Sequence, residues 1–296
     1  MSLITVKLFI TAVIWGGTFI AGRMLGPEIA PFSASFLRFV AANVCLVAIF
    51  LLRDGRWPRL DARTLLLVLG LGATGVFLYN AFFLWGLKFV PAGRAAIIVA
   101  GNPVFIAVFS RLLFQEPLSR AKALGVGLCL SGAAVVIGRG NPLGLFTGGM
   151  GVGELAILGA MFSWVSYSLL GKKVMGRMTP LAAVTLSCLA GMVLLLPPAL
   201  AEDLPAQAAN LSFSGWMAVL YLGVFGTALG FVWFYQGIQR IGASRAAVFI
   251  NFVPVSATAL GALLLGEPVD FSLLAGGALV LTGVALTNRR PGTKAA

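Results

Sequence analysis

Apolar and polar positions fall into blocks along this chain. Ten apolar runs lie near 4–23, 32–52, 64–87, 91–114, 119–138, 151–171, 180–200, 212–238, 243–265 and 270–288, and the largest polar stretches between them are 53–63 and 202–210. A helix rises about 1.5 Å per residue, so roughly 20 apolar residues cross the ~30 Å hydrocarbon core of a bilayer. The pattern predicts an all-α membrane protein of ten transmembrane helices, with no room for a soluble domain. Lys7 ahead of the first run imitates a signal peptide, but the run continues to about Gly22 without a convincing small-x-small cleavage site. It is expected to remain as the first helix.

Composition agrees with that pattern. Hydrophobic residues make up 59% of the 296 positions, charged residues 10%, and mean hydropathy is +1.00. A water-soluble domain carries roughly 25% charged residues. The net charge of +12 invites a nucleic-acid reading. The Lys and Arg residues, however, sit singly or in small groups between the apolar runs, as loop charges of a membrane protein do. The expected partners are the lipid bilayer and a small-molecule substrate, not nucleic acid; nothing in the chain speaks to oligomeric state. With ten spans both termini share one side, which collects fifteen Lys and Arg residues against five on the other. The positive-inside rule then places both termini in the cytoplasm, with the inner (plasma) membrane of a bacterium as the expected location.

The chain also repeats itself. A shift of 151 superposes Gly72–Val135 on Gly223–Leu286 without a gap, with about 20 of 64 positions identical. Arg94-Ala95-Ala96 meets Arg245-Ala246-Ala247, and Gly125 and Gly132 meet Gly276 and Gly283. A shift of 149 aligns Trp15 with Trp164 and Pro31 with Pro180. Five spans per unit is an odd number, so the second unit, 141–296, must enter the membrane upside down relative to the first, 1–140. Loop charges follow: 53–63 carries four arginines, whereas 202–210 carries Glu202 and Asp203 and no Lys or Arg. Inverted repeats of this kind recur in secondary transporters, which hold substrate between them near the bilayer midplane.

Trp15-Gly16-Gly17-x-Phe19, Leu37-Arg38-Phe39, the Pro103/Pro254 pair and the repeated Glu116-Pro117/Glu267-Pro268 resemble the EamA branch of the drug/metabolite transporter superfamily. Within it, the chain is most similar to bacterial exporters of amino acids, aromatic ones in particular. The resemblance covers nearly the whole chain. It implies a central cavity lined by the first, third, fourth, sixth, eighth and ninth helices.

Individual residues suggest where a solute binds. Trp15 and Trp164 lie near mid-depth, away from the interfaces that tryptophan favours; they read as cavity walls or as large packing residues. Tyr79 and Phe83 share a helix face, Asn80 is costly in lipid, and Trp233 and Tyr167 add aromatic surface. Asn102-Pro103 and Asn251-x-x-Pro254 break helices near their middles, exposing carbonyls to a substrate, hinging a gate or merely shaping the bundle. Glu116-Pro117 and Glu267-Pro268 read as loop turns. Arg38, about six residues into the second helix, reads as snorkelling to a structural partner, with a substrate carboxylate the second possibility.

Histidine is absent, the three cysteines lack metal spacing, and no Asp or Glu lies near the centre of a span. No metal, cofactor or intramembrane enzyme chemistry is expected. The expected activity is facilitated transport without a proton relay. A multidrug or other metabolite carrier of the same fold is the alternative.

Overall fold

The computed structural model describes residues 2–55, 57–115, 120–141, 150–174, 177–241 and 243–288, and every regular element among them is helical. α1 (Leu3–Leu25) and α2 (Pro31–Arg53) come first. The third apolar run is α3 (Ala62–Leu71), a π-helical segment (Gly72–Leu78) and α4 (Tyr79–Leu87) in direct succession. The fourth is broken at Gly101 into α5 (Ala92–Ala100) and α6 (Asn102–Phe114), and α7 (Arg120–Ile137) follows. Next come α8 (Val152–Val174), α9 (Pro180–Ala201) and the short α10 (Leu204–Asn210). α11 (Phe213–Leu220), a second π-helical segment (Tyr221–Leu229) and α12 (Gly230–Ile241) again run on from one another. α13 (Ala243–Ile250) and α14 (Phe252–Leu265) are split at Asn251, and α15 (Phe271–Asn288) is last.

Local chemistry sets these boundaries. Ser2, Asp61, Thr179 and Ser212 accept helix-start N–H bonds from Thr5, Thr64, Ala182 and Gly215, the usual satisfaction of orphan donors. Pro31 and Pro180 open α2 and α9, where a missing N–H costs nothing. α14 ends at Gly266 in the left-handed region, φ 64°.

Eight helical stretches among the described residues are long and apolar enough to cross a membrane, and two further apolar helices, Ala121–Ile137 and Phe271–Thr287, are shorter. Large apolar side chains such as Leu66, Leu112, Val193 and Leu263 stand exposed on the outside. A water-soluble monomer does not display so much apolar surface, whereas lipid covers it.

Packing brings distant parts of the chain together. α1 lies against α12 and α14, and α8 against α4, α5 and α6. α2 packs on α9 and on the second π segment, and α9 on the first. α7 and α15 run antiparallel with glycine against glycine: a Cβ on Gly125 would sit 2.5 Å from the Gly283 carbonyl, and one on Gly132 2.6 Å from that of Gly276. One buried cluster includes Phe19, Phe83, Ile98 and Ile157; a second, with Phe39, Leu46, Val76, Val184 and Cys188, wraps the π segments.

Candidate functional site

A π-helix closes its hydrogen bonds one residue wider than an α-helix, and such segments recur at functional sites. Side chains bond carbonyls in both π segments here. The Asn80 amide donates to the Val76 carbonyl at 2.8 Å. Thr227 Oγ1 donates to the Leu222 carbonyl at 3.0 Å, and the Trp15 indole N–H to the Gly226 carbonyl at 2.9 Å.

Between the two segments lies a narrow cavity. Its walls pair positions that the internal repeat makes equivalent: Arg38 with Ser187, Phe39 with Cys188, Val76 with Thr227, and Asn80 with Phe231. Gly75, Tyr79, Trp164, Tyr167 and Val184 complete it, so the walls come from the second, third, sixth, seventh and eighth apolar runs and not from the first, fourth and ninth that the family resemblance implied. The Trp164 ring lies 5.3 Å from Tyr79, 5.2 Å from Tyr167 and 6.3 Å from Phe231. Tyr167 presses on Gly75, where a Cβ would stand 2.2 Å from the ring, so only glycine admits it. The free volume is about 30 Å³, room for about two water molecules. The helices are therefore drawn in, and any larger solute must part them.

Arg38 is the charged group at this site. It is 7% exposed, so it does not snorkel to the membrane surface as the sequence suggested. Its Nη1 donates to Asn80 Oδ1 at 2.6 Å, and its Nη2 and Nε donate to Thr227 Oγ1 at 3.1 and 3.3 Å. The guanidinium also sits 5.4 Å from the centre of the Phe39 ring. Among the described residues no carboxylate lies within ion-pairing distance of it. A buried charge without a counter-ion costs several kcal/mol, so this one calls for a reason. The expectation of a structural partner holds for Asn80 and Thr227, which are neutral.

The other residues named from sequence scatter around this centre. Tyr79, Asn80, Trp164 and Tyr167 line the cavity. Trp15 stands behind it, with its ring 5.8 Å from Phe231. Phe83 is buried in the core, stacked on Tyr79 and edge-on to Phe19. Trp233 lies elsewhere on α12, with Lys7 Nζ 5.7 Å from its ring. Asn102 and Asn251 sit at the two helix breaks, ahead of Pro103 at the start of α6 and Pro254 in α14. The Asn102 Oδ1 is buried without a hydrogen-bond partner. Thr227 and Ser187 were not singled out from sequence, although adding the repeat shift to Val76 and Arg38 leads to both.

Away from the cavity, Glu267 does more than end a helix. Its carboxylate accepts the Ala92 and Gly93 N–H groups at the start of α5 and lies 3.5 Å from Arg23 Nε. Arg23 in turn donates to the Leu87 and Lys88 carbonyls. These contacts tie together the ends of α1, α4, α5 and α14. The matching Glu116-Pro117 lies outside the described residues. A second cavity, near 190 Å³, is walled by Ile98, Phe105, Leu130, Met161 and other apolar groups with Cys129. Nothing there would orient a polar solute.

Many apolar spans around a small aromatic cavity holding one buried cation define a membrane transporter for small solutes. Known proteins agree. The EamA-like transporter family matches residues 3–138 and again 151–289, and the chain belongs to that family. It is 30% identical to the "Probable terminal-alkyne amino-acid exporter" of Streptantibioticus cattleyicolor, over 96% of this chain and 92% of that one. It is 28% identical to the Bacillus subtilis transporter YyaM (92% and 89% covered) and 30% to the Escherichia coli inner membrane transporter YedA (95% and 89%). A solved crystal structure with 22% identity overlays 96% of each chain at a TM-score of 0.65, which speaks to the fold alone.

Proposed function

We propose that the protein exports amino acids, aromatic or otherwise hydrophobic, and related small metabolites by alternating access. Two inverted five-helix repeats, 1–140 and 141–296, with α7 and α15 among the ten spans, would rock about the central cavity in the inner membrane, both termini cytoplasmic. One observation carries this reading: equivalent positions of the two repeats meet reciprocally around the cavity. A Cβ on Gly72 would touch Ala190 and Gly191, while one on Gly223 would touch Ala41 and Ala42, their equivalents. The Gly125–Gly283 and Gly132–Gly276 contacts are reciprocal in the same way. A two-fold axis produces such self-complementary pairing, and a site on the axis suits access from either side.

The amino-acid class rests on the Streptantibioticus relative's name and on the aromatic walls. Facilitated movement is favoured by the placement of acids. Glu28, Asp54, Asp61, Glu154, Glu202, Asp203, Glu267 and Asp270 all lie at helix ends or in connections, and none lines the cavity. The purified chain in proteoliposomes should take up radiolabelled phenylalanine saturably and in preference to aliphatic amino acids. Counterflow should follow the substrate gradient with no stoichiometric proton flux. Proton-driven accumulation would overturn the facilitated part, and absence of amino-acid flux would overturn the substrate class in favour of another metabolite or drug carrier.

A further inference from the structure

We infer that Arg38 is the carboxylate-recognition centre of the cavity, and that the transported species is recognised as an aromatic carboxylate whose amino group is dispensable. This rests on the cavity being the substrate site, and it adds what that reading leaves open.

The argument starts from donor bookkeeping. A guanidinium carries five N–H donors. Three are directed at protein acceptors, Asn80 Oδ1 and Thr227 Oγ1, both neutral. Two remain, on a fully charged group only 7% exposed. An arginine fork matches a carboxylate bidentately, and an incoming carboxylate would supply both missing acceptors and the missing charge. In the contracted cavity Asn80 and Thr227 hold the guanidinium in place, so its geometry is set before a ligand arrives.

The walls suit the rest of such a molecule. Tyr79, Trp164, Tyr167 and Phe231 present aromatic faces or edges beside Arg38, favourable to a planar apolar body. What the walls lack is as informative. Among the described residues no Asp or Glu lines the cavity, and the Asn80 oxygen is already occupied by Arg38. An ammonium group would find ring faces but no anion. Arg38 has no charged counterpart in the second repeat, where Ser187 stands, so the cavity carries one cation and takes one anion.

The test uses the full chain in proteoliposomes and, separately, in detergent. In liposomes, 3-phenylpropionate, which lacks the amine, should inhibit labelled phenylalanine uptake within about threefold of phenylalanine itself. Phenylalaninamide, which lacks the carboxylate, should be at least tenfold weaker. In detergent, quenching of tryptophan fluorescence by 3-phenylpropionate should be lost in Trp164→Phe and weakened at least tenfold in Arg38→Gln, with Arg38→Lys retaining part. Should Arg38→Gln fail to fold, Asn80→Asp places a carboxylate against the guanidinium and should block the ligand tenfold or more. Equal inhibition by the amide, or undiminished 3-phenylpropionate binding in Arg38→Gln or Asn80→Asp, overturns the assignment. Binding of 3-phenylpropionate without phenylalanine flux would instead sink the amino-acid reading and leave Arg38 standing.

Discussion

Trp15 and Trp164 align in the repeat yet do different work. Trp15 spends its indole N–H on the Gly226 carbonyl, with its ring against Phe231 and Phe234. Trp164 faces the cavity and touches Tyr79 and Tyr167. Trp15→Phe should therefore cost about 1 kcal/mol, the worth of one hydrogen bond, seen as a lower thermal midpoint in detergent with substrate preference unchanged. Trp164→Phe should shift the apparent affinity for aromatic solutes and leave the midpoint nearly constant. At a helix start, Asp270 is held below the ordinary carboxylate range, first by the Ser272 hydroxyl and then by the Leu273 N–H and Arg94. A depressed folded value adds stability above the unfolded pKa of about 4 that is lost as pH falls through the folded one. Acidifying below about pH 4 should lower the thermal midpoint less in Asp270→Asn than in the parent.

The elements carry a prediction of their own, because α7 and α15 are held by glycines. A side chain at Gly132 would meet the Gly276 carbonyl at 2.6 Å, while Gly127 on the same helix has open space around it. Gly132→Leu should force the pair apart and lower both the thermal midpoint and transport; Gly127→Leu should leave both unchanged. The glycines of this pair showed in the sequence only as repeat equivalents, not as contacts, and the apolar runs placed the helices within them to a few residues, whereas α10 lies in the polar stretch 202–210 that was expected as a connection. The two breaks at Gly101 and Asn251 also follow from the Asn-Pro and Asn-x-x-Pro signals. The π segments were not legible, since a one-residue widening leaves apolar spacing nearly unaltered. Arg38 was misjudged for a related reason. Position along an apolar run gives depth, and Arg38 lies within snorkelling reach of an end. Direction around the helix is set by neighbours, here Asn80 and Thr227, more than 40 residues away in sequence.

At the scale of the whole molecule, the reading stands or falls on inversion. In the proposed arrangement two copies of a five-span unit cross the bilayer in opposite senses, so equivalent loops end on opposite sides. The loop 53–63 and its partner 202–210 carry opposite charge, as orientation under the positive-inside rule requires. The first should face the cytoplasm and the second the outside. Arg59 is exposed in the first stretch and Ala209 on the short helix α10 in the second, and the native Cys45, Cys129 and Cys188 sit within the long helices. With those three replaced by serine, Ala209→Cys should react with a membrane-impermeant maleimide on intact cells, and Arg59→Cys only after permeabilisation. Labelling of both from outside would make the repeats parallel and remove the axis on which the cavity is proposed to lie. Labelling of Arg59→Cys alone would keep the inversion but reverse the molecule, turning the side tied together by Arg23 and Glu267 towards the cytoplasm. The proposed pattern puts that tie outside, so the cavity would first open inward, the side from which an exporter loads.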